Sequence, residues 1–344
     1  MGGFTNYELR ITPWVVVKGG GDLGTGVAWR LHRCGFRVLV TEVARPTVIR
    51  RAVAFASAVY EGSVTVDGVT ARLVEDDAAL AGCWACGEVP VLVDAEGAVV
   101  RRWQPDALVD AVMAKRNVGT RIADAPVVVA LGPGFTAGVD CHALVETQRG
   151  HHLGRVLLEG SAEPNTGVPG SVGGESARRV LRAPAEGAFR AVRAIGERVQ
   201  AGEVVAYVED APIPAQLDGV VRGLIHDGLR VHTGMKVGDV DPRGVVADCF
   251  TISDKALAIA GGVLEAILFF IFSVPSVSPW FFQGSLKRAR GAGGHPVFHF
   301  LRALRVSVVF PRQSETSQGS WVSRHRPPAA RGAWEQGAWQ VGAW

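Results

Sequence analysis

The first strongly patterned segment is an apolar run, Trp14-Val15-Val16-Val17, that ends at Lys18 and three glycines. A short continuous apolar run closed by glycine reads as a buried strand entering a tight turn. Val27, Ala28, Leu31 and Cys34 then fall on one helical face, and Gly35 stops that helix. Residues 36–41 predict a second strand ending at Glu42. Strand, glycine turn, helix and strand within about thirty residues make a βαβ unit. Further strands are predicted over 58–61, over 63–66 and 70–73 across an Asp67-Gly68 turn, and over 89–93 and 127–131. Residues 106–115 predict a helix with Asp106 near its start. Alternating strands and helices argue for an α/β sheet.

Beyond residue 150 the pattern changes. Gly, Ser, Pro, Asn and Glu crowd 159–175, so 151–182 reads as a polar connector. Residues 183–250 hold an internal repeat: Gly187, Gly196, Val199, Gly202 and Val208 recur as Gly219, Gly228, Val231, Gly234 and Val240, each at an offset of 32. Two copies are too few for a solenoid, so a small closed β sandwich is expected. The repeat resembles biotinyl and lipoyl carrier modules, but the stretch joining its halves, 209–215, has no lysine, and Lys236 lies off that tip. Ser253 and Asp254 are N-cap types ahead of a helix predicted over 253–268. The expected fold class is α/β: a Rossmann-like domain over 14–150, followed by a small β-rich carrier-like (barrel-sandwich) domain closed by that helix.

Composition sharpens the C-terminal boundary. Residues 269–344 hold nine Lys and Arg against two acids, eight of the 14 Phe and five of the nine Trp. The segment shows no steady period and is expected to be a disordered tail. Its composition fits translated non-coding sequence, with a genuine extension as the alternative. Removing it turns the whole-chain charge of +3 into −4 for residues 1–268 (27 bases against 31 acids), which argues against a nucleic-acid partner. The apolar stretch 257–272 is short for a membrane span of about 20 residues and contains Glu265, so no membrane partner is expected. Five cysteines do not make a disulfide scaffold, and the first residues lack a signal-peptide pattern; a cytoplasmic protein is expected.

Three clusters carry candidate chemistry. Gly19, Gly21 and Gly24 fit G-x-G-x-x-G after a strand and at the opening of a helix, where backbone N–H groups meet phosphates. Lys18 stands beside this loop, Glu42 is placed to hold a ribose hydroxyl, and Asp22 sets a negative charge next to the expected phosphates. A turn that only packs the helix on the sheet is the alternative. Second, Gly132 and Gly134 flank Pro133 at the end of a strand, and Asp140, His142 and Glu146 follow as candidate acid, base or ligand groups, with His151 and His152 nearby. No familiar metal motif is matched, and no metal is expected. Third, Cys83 and Cys86 form a lone C-x-x-C, which reads as two ordinary thiols.

Six stretches together resemble the YqeB-type proteins associated with selenium-dependent molybdenum hydroxylases. They are Lys18-Gly-Gly-Gly-Asp-Leu-Gly-Thr-Gly26, Pro46-Thr-Val-Ile-Arg-Arg51 with Ala58-Val-Tyr-Glu-Gly62, Ala130-Leu-Gly-Pro-Gly-Phe135, Gly160-Ser-Ala-Glu-Pro-Asn-Thr-Gly167, Val237-Gly-Asp-Val-Asp-Pro-Arg-Gly244 and Phe250-Thr-Ile-Ser-Asp-Lys-Ala256. The resemblance implies an accessory role in maturing a hydroxylase of the xanthine dehydrogenase type, with a hydroxylase subunit and a small-molecule nucleotide as partners. The ligand it implies is a dinucleotide or a nucleotide-bearing molybdenum cofactor. An NAD(P)-dependent oxidoreductase and a non-catalytic docking scaffold are the alternatives.

Overall fold

The computed structural model describes residues 12–167 and 170–272. The expected tail falls outside them from residue 273 onward.

The opening apolar run is β1 (Trp14–Lys18), followed by α1 (Asp22–Arg33) and β2 (Arg37–Glu42). Next come α2 (Ala58–Glu61), β3 (Ser63–Val66), β4 (Val69–Val74), α3 (Ala78–Ala85) and β5 (Val89–Val93). The chain continues through α4 (Ala98–Trp103), β6 (Ala107–Asp110), β7 (Val127–Leu131), β8 (Thr136–Ala137), β9 (Ala143–Val145), β10 (Val156–Leu157) and β11 (Gly160–Ser161). Nine of these strands form one sheet in the order β10-β9-β7-β6-β1-β2-β5-β4-β3, while β8 and β11 pair separately. The seven strands from β9 to β4 pair in parallel; β10 and β3 join antiparallel at the two edges. Central strands buried on both faces explain the continuous Val and Leu runs.

Two sequence expectations change identity here. The predicted helix over 106–115 is strand β6, held between β1 and β7. Ala107, Leu108 and Val109 are all buried, which a two-sided central strand requires and a half-exposed helix does not. Asp106 is not a helix cap; its Oδ2 accepts the Trp14 N–H at 2.9 Å. Conversely, 58–61 forms the single helical turn α2, which Gly62 ends at φ 78°.

The remaining strands are β12 (Val180–Arg182), β13 (Gly187–Ala191), β14 (Arg198–Val199), β15 (Val204–Val208), β16 (Ala211–Pro214), β17 (Gly219–Leu224), β18 (Arg230–Val231) and β19 (Lys236–Asp241). The 32-residue offset relates the starts of β13, β14 and β15 to those of β17, β18 and β19. The halves interlock, since β14 pairs with β17 and β18 with β13. The two four-stranded sheets, β12-β19-β17-β14 and β16-β15-β13-β18, close over a core that includes Phe189, Val205, Leu224 and Ile225. Finally α5 (Asp254–Phe272) starts with the Ser253 hydroxyl accepting the Ala256 N–H at 3.2 Å. It packs beside α1 on one face of the large sheet, where a Cβ on Gly26 would meet Ala256 at 2.9 Å.

The expected Rossmann-like domain followed by a separate carrier-like module is therefore corrected. The structure has a large mixed sheet of nine strands with antiparallel edges, and the β13–β19 region is welded to it. Gly223 of β17 runs so close to the 46–51 segment that a Cβ there would lie 2.6 Å from the Ile49 carbonyl oxygen, and Arg50 forms a parallel bridge with Leu224. No described helix is long and apolar enough to cross a membrane.

Candidate functional site

The glycine turn after β1 is shaped by close contacts. Gly19 sits at φ 91°, and a Cβ on Gly24 would lie 2.0 Å from the Gly19 carbonyl oxygen. Glu42 does not reach outward as a ribose ligand would. Its Oε2 accepts the Gly20 N–H at 2.8 Å and its Oε1 accepts the Val43 N–H at 2.9 Å, so the carboxylate braces the turn itself. Burial pushes its carboxyl above the ordinary range, against those two hydrogen bonds. Lys18 also turns away, donating to Thr120 Oγ1 at 2.9 Å, while Thr120 donates to the buried Asp110 at 2.6 Å. Of the loop, Gly21, Asp22 and Leu23 line a cavity.

The second cluster is not drawn together. Asp140 Oδ2 accepts the Thr136 N–H at 2.7 Å and closes its own turn. His142 Nδ1 accepts the Val128 N–H at 3.0 Å beside the Phe270 ring; burial lowers its pKa. Glu146 is buried and accepts N–H groups from Gln148 and Glu163 at 2.6 and 2.8 Å. Gly132 at φ 68° and Gly134 at φ 109° let the β7 turn pass Thr147 and Arg116, where side chains would collide. The His151 and His152 rings meet edge-on, 5.1 Å apart. Cys83 is buried in α3, and burial pushes its thiol up to about 11; Cys86 is exposed, and all five thiols are free. Among the described residues no three His, Cys, Asp or Glu side chains converge as metal ligands.

The cavity touched by Gly21 and Asp22 has a volume of about 710 Å³. It lies beyond the carboxyl ends of β1, β6, β7 and β9, where open parallel sheets hold ligands. Its opposite wall comes from the 46–51 segment and from the β13–β19 region. Eight Lys and Arg line it against three acids, Asp22, Glu163 and Asp239. Some of these cations are already committed. Arg179 pairs with buried Asp239 and donates to the Gly170 carbonyl at 3.0 Å. Arg149 grips Asp254 through two bonds of 2.9 and 3.0 Å, which holds that carboxyl well below its usual range. Arg50 donates to the Asp248 and Thr251 carbonyls through Nη2 and stands 3.5 Å from Asp22, though its buried Nε, like that of Arg222, has no partner.

Others are not. Arg222 is 7% exposed; it reaches Asp241 through Nη1 at 3.2 Å, but its buried Nε has no partner. The amines of Lys115, Lys236 and Lys255 have no hydrogen-bond or ion-pair partner among the described residues. Burial lowers the pKa of all three, and the Lys115 charge presses further on Lys255. Arg222 is lowered by burial and then by Arg50. Met113 and Lys115 hold left-handed backbone at φ 59° and 62°, a conformation costly for non-glycine residues and concentrated at binding sites. The result is an unbalanced positive wall, with Arg222 buried, Lys236 and Lys255 half-buried and Lys115 exposed.

None of these cations was a sequence-level site candidate; only Lys236 drew notice, as a lysine off the tip of the repeat. One signal pointed to the cavity, though of these cations only to Lys255: each of the six stretches quoted above supplies the lining, through Asp22, Arg50, Pro133, Asn165, Asp239 and Lys255 in turn.

No family model matches the chain. It is 52% identical over 254 residues to the uncharacterized protein YqeB of Escherichia coli (strain K12), a match that takes in 74% of this chain and 47% of that protein. The similarity supports a YqeB-type family, and the chain spans about half that relative's length. Among solved structures it is similar to a succinylglutamate desuccinylase/aspartoacylase from Rhodobacter sphaeroides (19% identity, 67% of this chain and 85% of that one, TM-score 0.22). It is also similar to the ectoine utilization protein EutE (DoeB) of Ruegeria pomeroyi (11% identity, 67% and 85%, TM-score 0.21). A third is an aspartoacylase family protein of Mesorhizobium loti (12% identity, 66% and 84%, TM-score 0.22). The expectations of a hydroxylase maturation factor and of an oxidoreductase are corrected on the site's own geometry: Glu42 and Lys18, the groups expected to hold a dinucleotide, are spent inside the fold. TM-scores near 0.2 assign this chain no chemistry from those neighbours.

Proposed function

We propose that the protein binds a small molecule carrying two or more anionic groups of phosphate type in the basic cavity. The observation that carries this reading is the set of partnerless cationic donors, Arg222 Nε and the amines of Lys115, Lys236 and Lys255, in the wall of one cavity. A cation left without a partner in a cavity wall that is only partly open to water gains from an arriving anion, which would supply the missing partner. The start of α1 adds free backbone N–H groups and the positive end of a helix dipole next to Gly21. A small-molecule nucleotide falls within this ligand class.

Calorimetric titration of the full chain with inorganic pyrophosphate and with citrate tests the reading and separates phosphate from carboxylate anions. Pyrophosphate is expected to bind, and Lys236→Gln and Lys255→Gln each to weaken it at least about fivefold, as loss of a charge-assisted hydrogen bond does. Absence of both a binding heat and a melting shift with either anion overturns it.

A further inference from the structure

The cavity is far larger than one phosphate and falls in the range of sites for organic ligands, roughly 300 to 1,000 Å³. Its free cations stand on two different walls. Arg222 and Lys236 come from β17 and β19. Lys115 follows β6, and Lys255 opens α5. A negative charge stands where the walls meet: Asp22 opens α1 on the sheet side, and its carboxylate faces Arg50 of the 46–51 segment, which bridges to Leu224 of β17.

Asp22 is out of place in an anion site. It stands at the start of α1, its side chain is 37% exposed, and its nearest cation, Arg50 Nη1, is 3.5 Å from Oδ2. It makes no hydrogen bond; Oδ2 faces Arg50, and Oδ1 is open to a donor. A carboxylate there repels any anion that lies against it. It helps a ligand whose charged ends sit to either side and whose middle donates a hydrogen bond.

Building on the anion-binding reading, we propose that the ligand is a two-headed anion with a hydroxyl or ammonium donor between its heads. One head lies against Arg222 and Lys236, the other against Lys115 and Lys255, and Asp22 accepts from the donor between them. The chemical class is a bisphosphorylated polyol or a molecule that mimics one.

Three probes titrated into the full chain test this: D-mannitol 1,6-bisphosphate, hexane-1,6-diol bisphosphate, which has the same chain without hydroxyls, and pyrophosphate. The wild type is expected to bind the mannitol compound about tenfold more tightly than the hexanediol compound, the size of one hydrogen bond to a charged group. Asp22→Ala is expected to abolish that preference without weakening the hexanediol compound. Asp22→Asn, which keeps an acceptor and a polar start to the helix, is expected to retain part of it, and melting curves check that both variants fold. An equal gain by Asp22→Ala for all three probes would make Asp22 a mere helix-end charge and overturn the inference while leaving the anion site intact. Pyrophosphate binding as tightly as the bisphosphates overturns it too. Failure of all three probes on the wild type removes the anion-binding reading itself.

Discussion

Arg179 and Arg222 both face the cavity and both pair with a buried carboxylate, yet their removal leaves different debts. Without Arg179, Asp239 stays buried with no hydrogen-bond donor. Breaking such a pair from one side costs about 3 to 5 kcal/mol. Without Arg222, Asp241 keeps Arg243, which donates at 2.6 and 3.0 Å. Arg179→Met is therefore expected to cost several kcal/mol in a urea melt. Arg222→Met should stay within about 1 kcal/mol of wild type and weaken pyrophosphate about tenfold. Equal destabilisation by the two would refute this division of labour. The lysines make a pH prediction. Lys115, Lys236 and Lys255 are lowered from 10.5 in the folded chain, so the unfolded chain holds more protons between those lowered values and 10.5. Stability of the free protein is expected to rise with pH across that interval. A bound anion favours the ammonium form, so binding takes up protons there and affinity falls as pH rises. Calorimetry in two buffers of different ionisation enthalpy reads the uptake; proton release would contradict it.

The glycine turn shows how far an element is legible from its residues. Its place after a strand and before a helix is a local pattern, and β1, α1 and β2 follow it. Which glycine does what is not local. Gly24 has no room for a Cβ because the Gly19 carbonyl lies 2.0 Å away, whereas Gly21 has nothing nearer than Val48 Cγ1 at 3.7 Å and an ordinary φ of −64°. Gly24→Ala is therefore expected to lower the melting temperature sharply. Gly21→Ala should remain within about 1 kcal/mol, the usual range for exchanges at an N-cap. Comparable melts for the two variants would mean the turn relaxes. The element misread from sequence, β6, fails for a related reason. A three-residue apolar run has no period of its own, and what makes it a strand is pairing with β1 and β7. Glu42 likewise sits where a ribose ligand was expected, and only the fold reveals that Gly20 uses it.

At the scale of the whole molecule, the site has no linear signature because its cations lie far apart along the chain, from Arg50 to Lys255. The internal repeat makes the point sharply. At its offset of 32, Arg222 corresponds to Arg190 and Asp239 to Tyr207. In the first copy Arg190 stacks over Tyr207 at 4.9 Å, away from the cavity, while the second copy keeps the arginine and turns it inward. Regular spacing therefore located the recurring strands of this region but not their use. The charge distribution carries the last prediction. Residues 1–268 carry −4, while the cavity lining alone has five more cations than anions. A net acidic body gives little long-range attraction to an anion, so the capture is local. Above about 0.1 M salt the screening length is already about 10 Å or less, which removes distant steering but reaches buried pairs weakly. Raising NaCl from about 0.1 to about 0.5 M is expected to leave the association rate of pyrophosphate within about threefold and to act mainly on dissociation, as short-range contacts do. Stopped-flow mixing separates the two rates. An association rate that falls steeply with salt would show that the field outside the cavity, and not the lysines within it, governs capture.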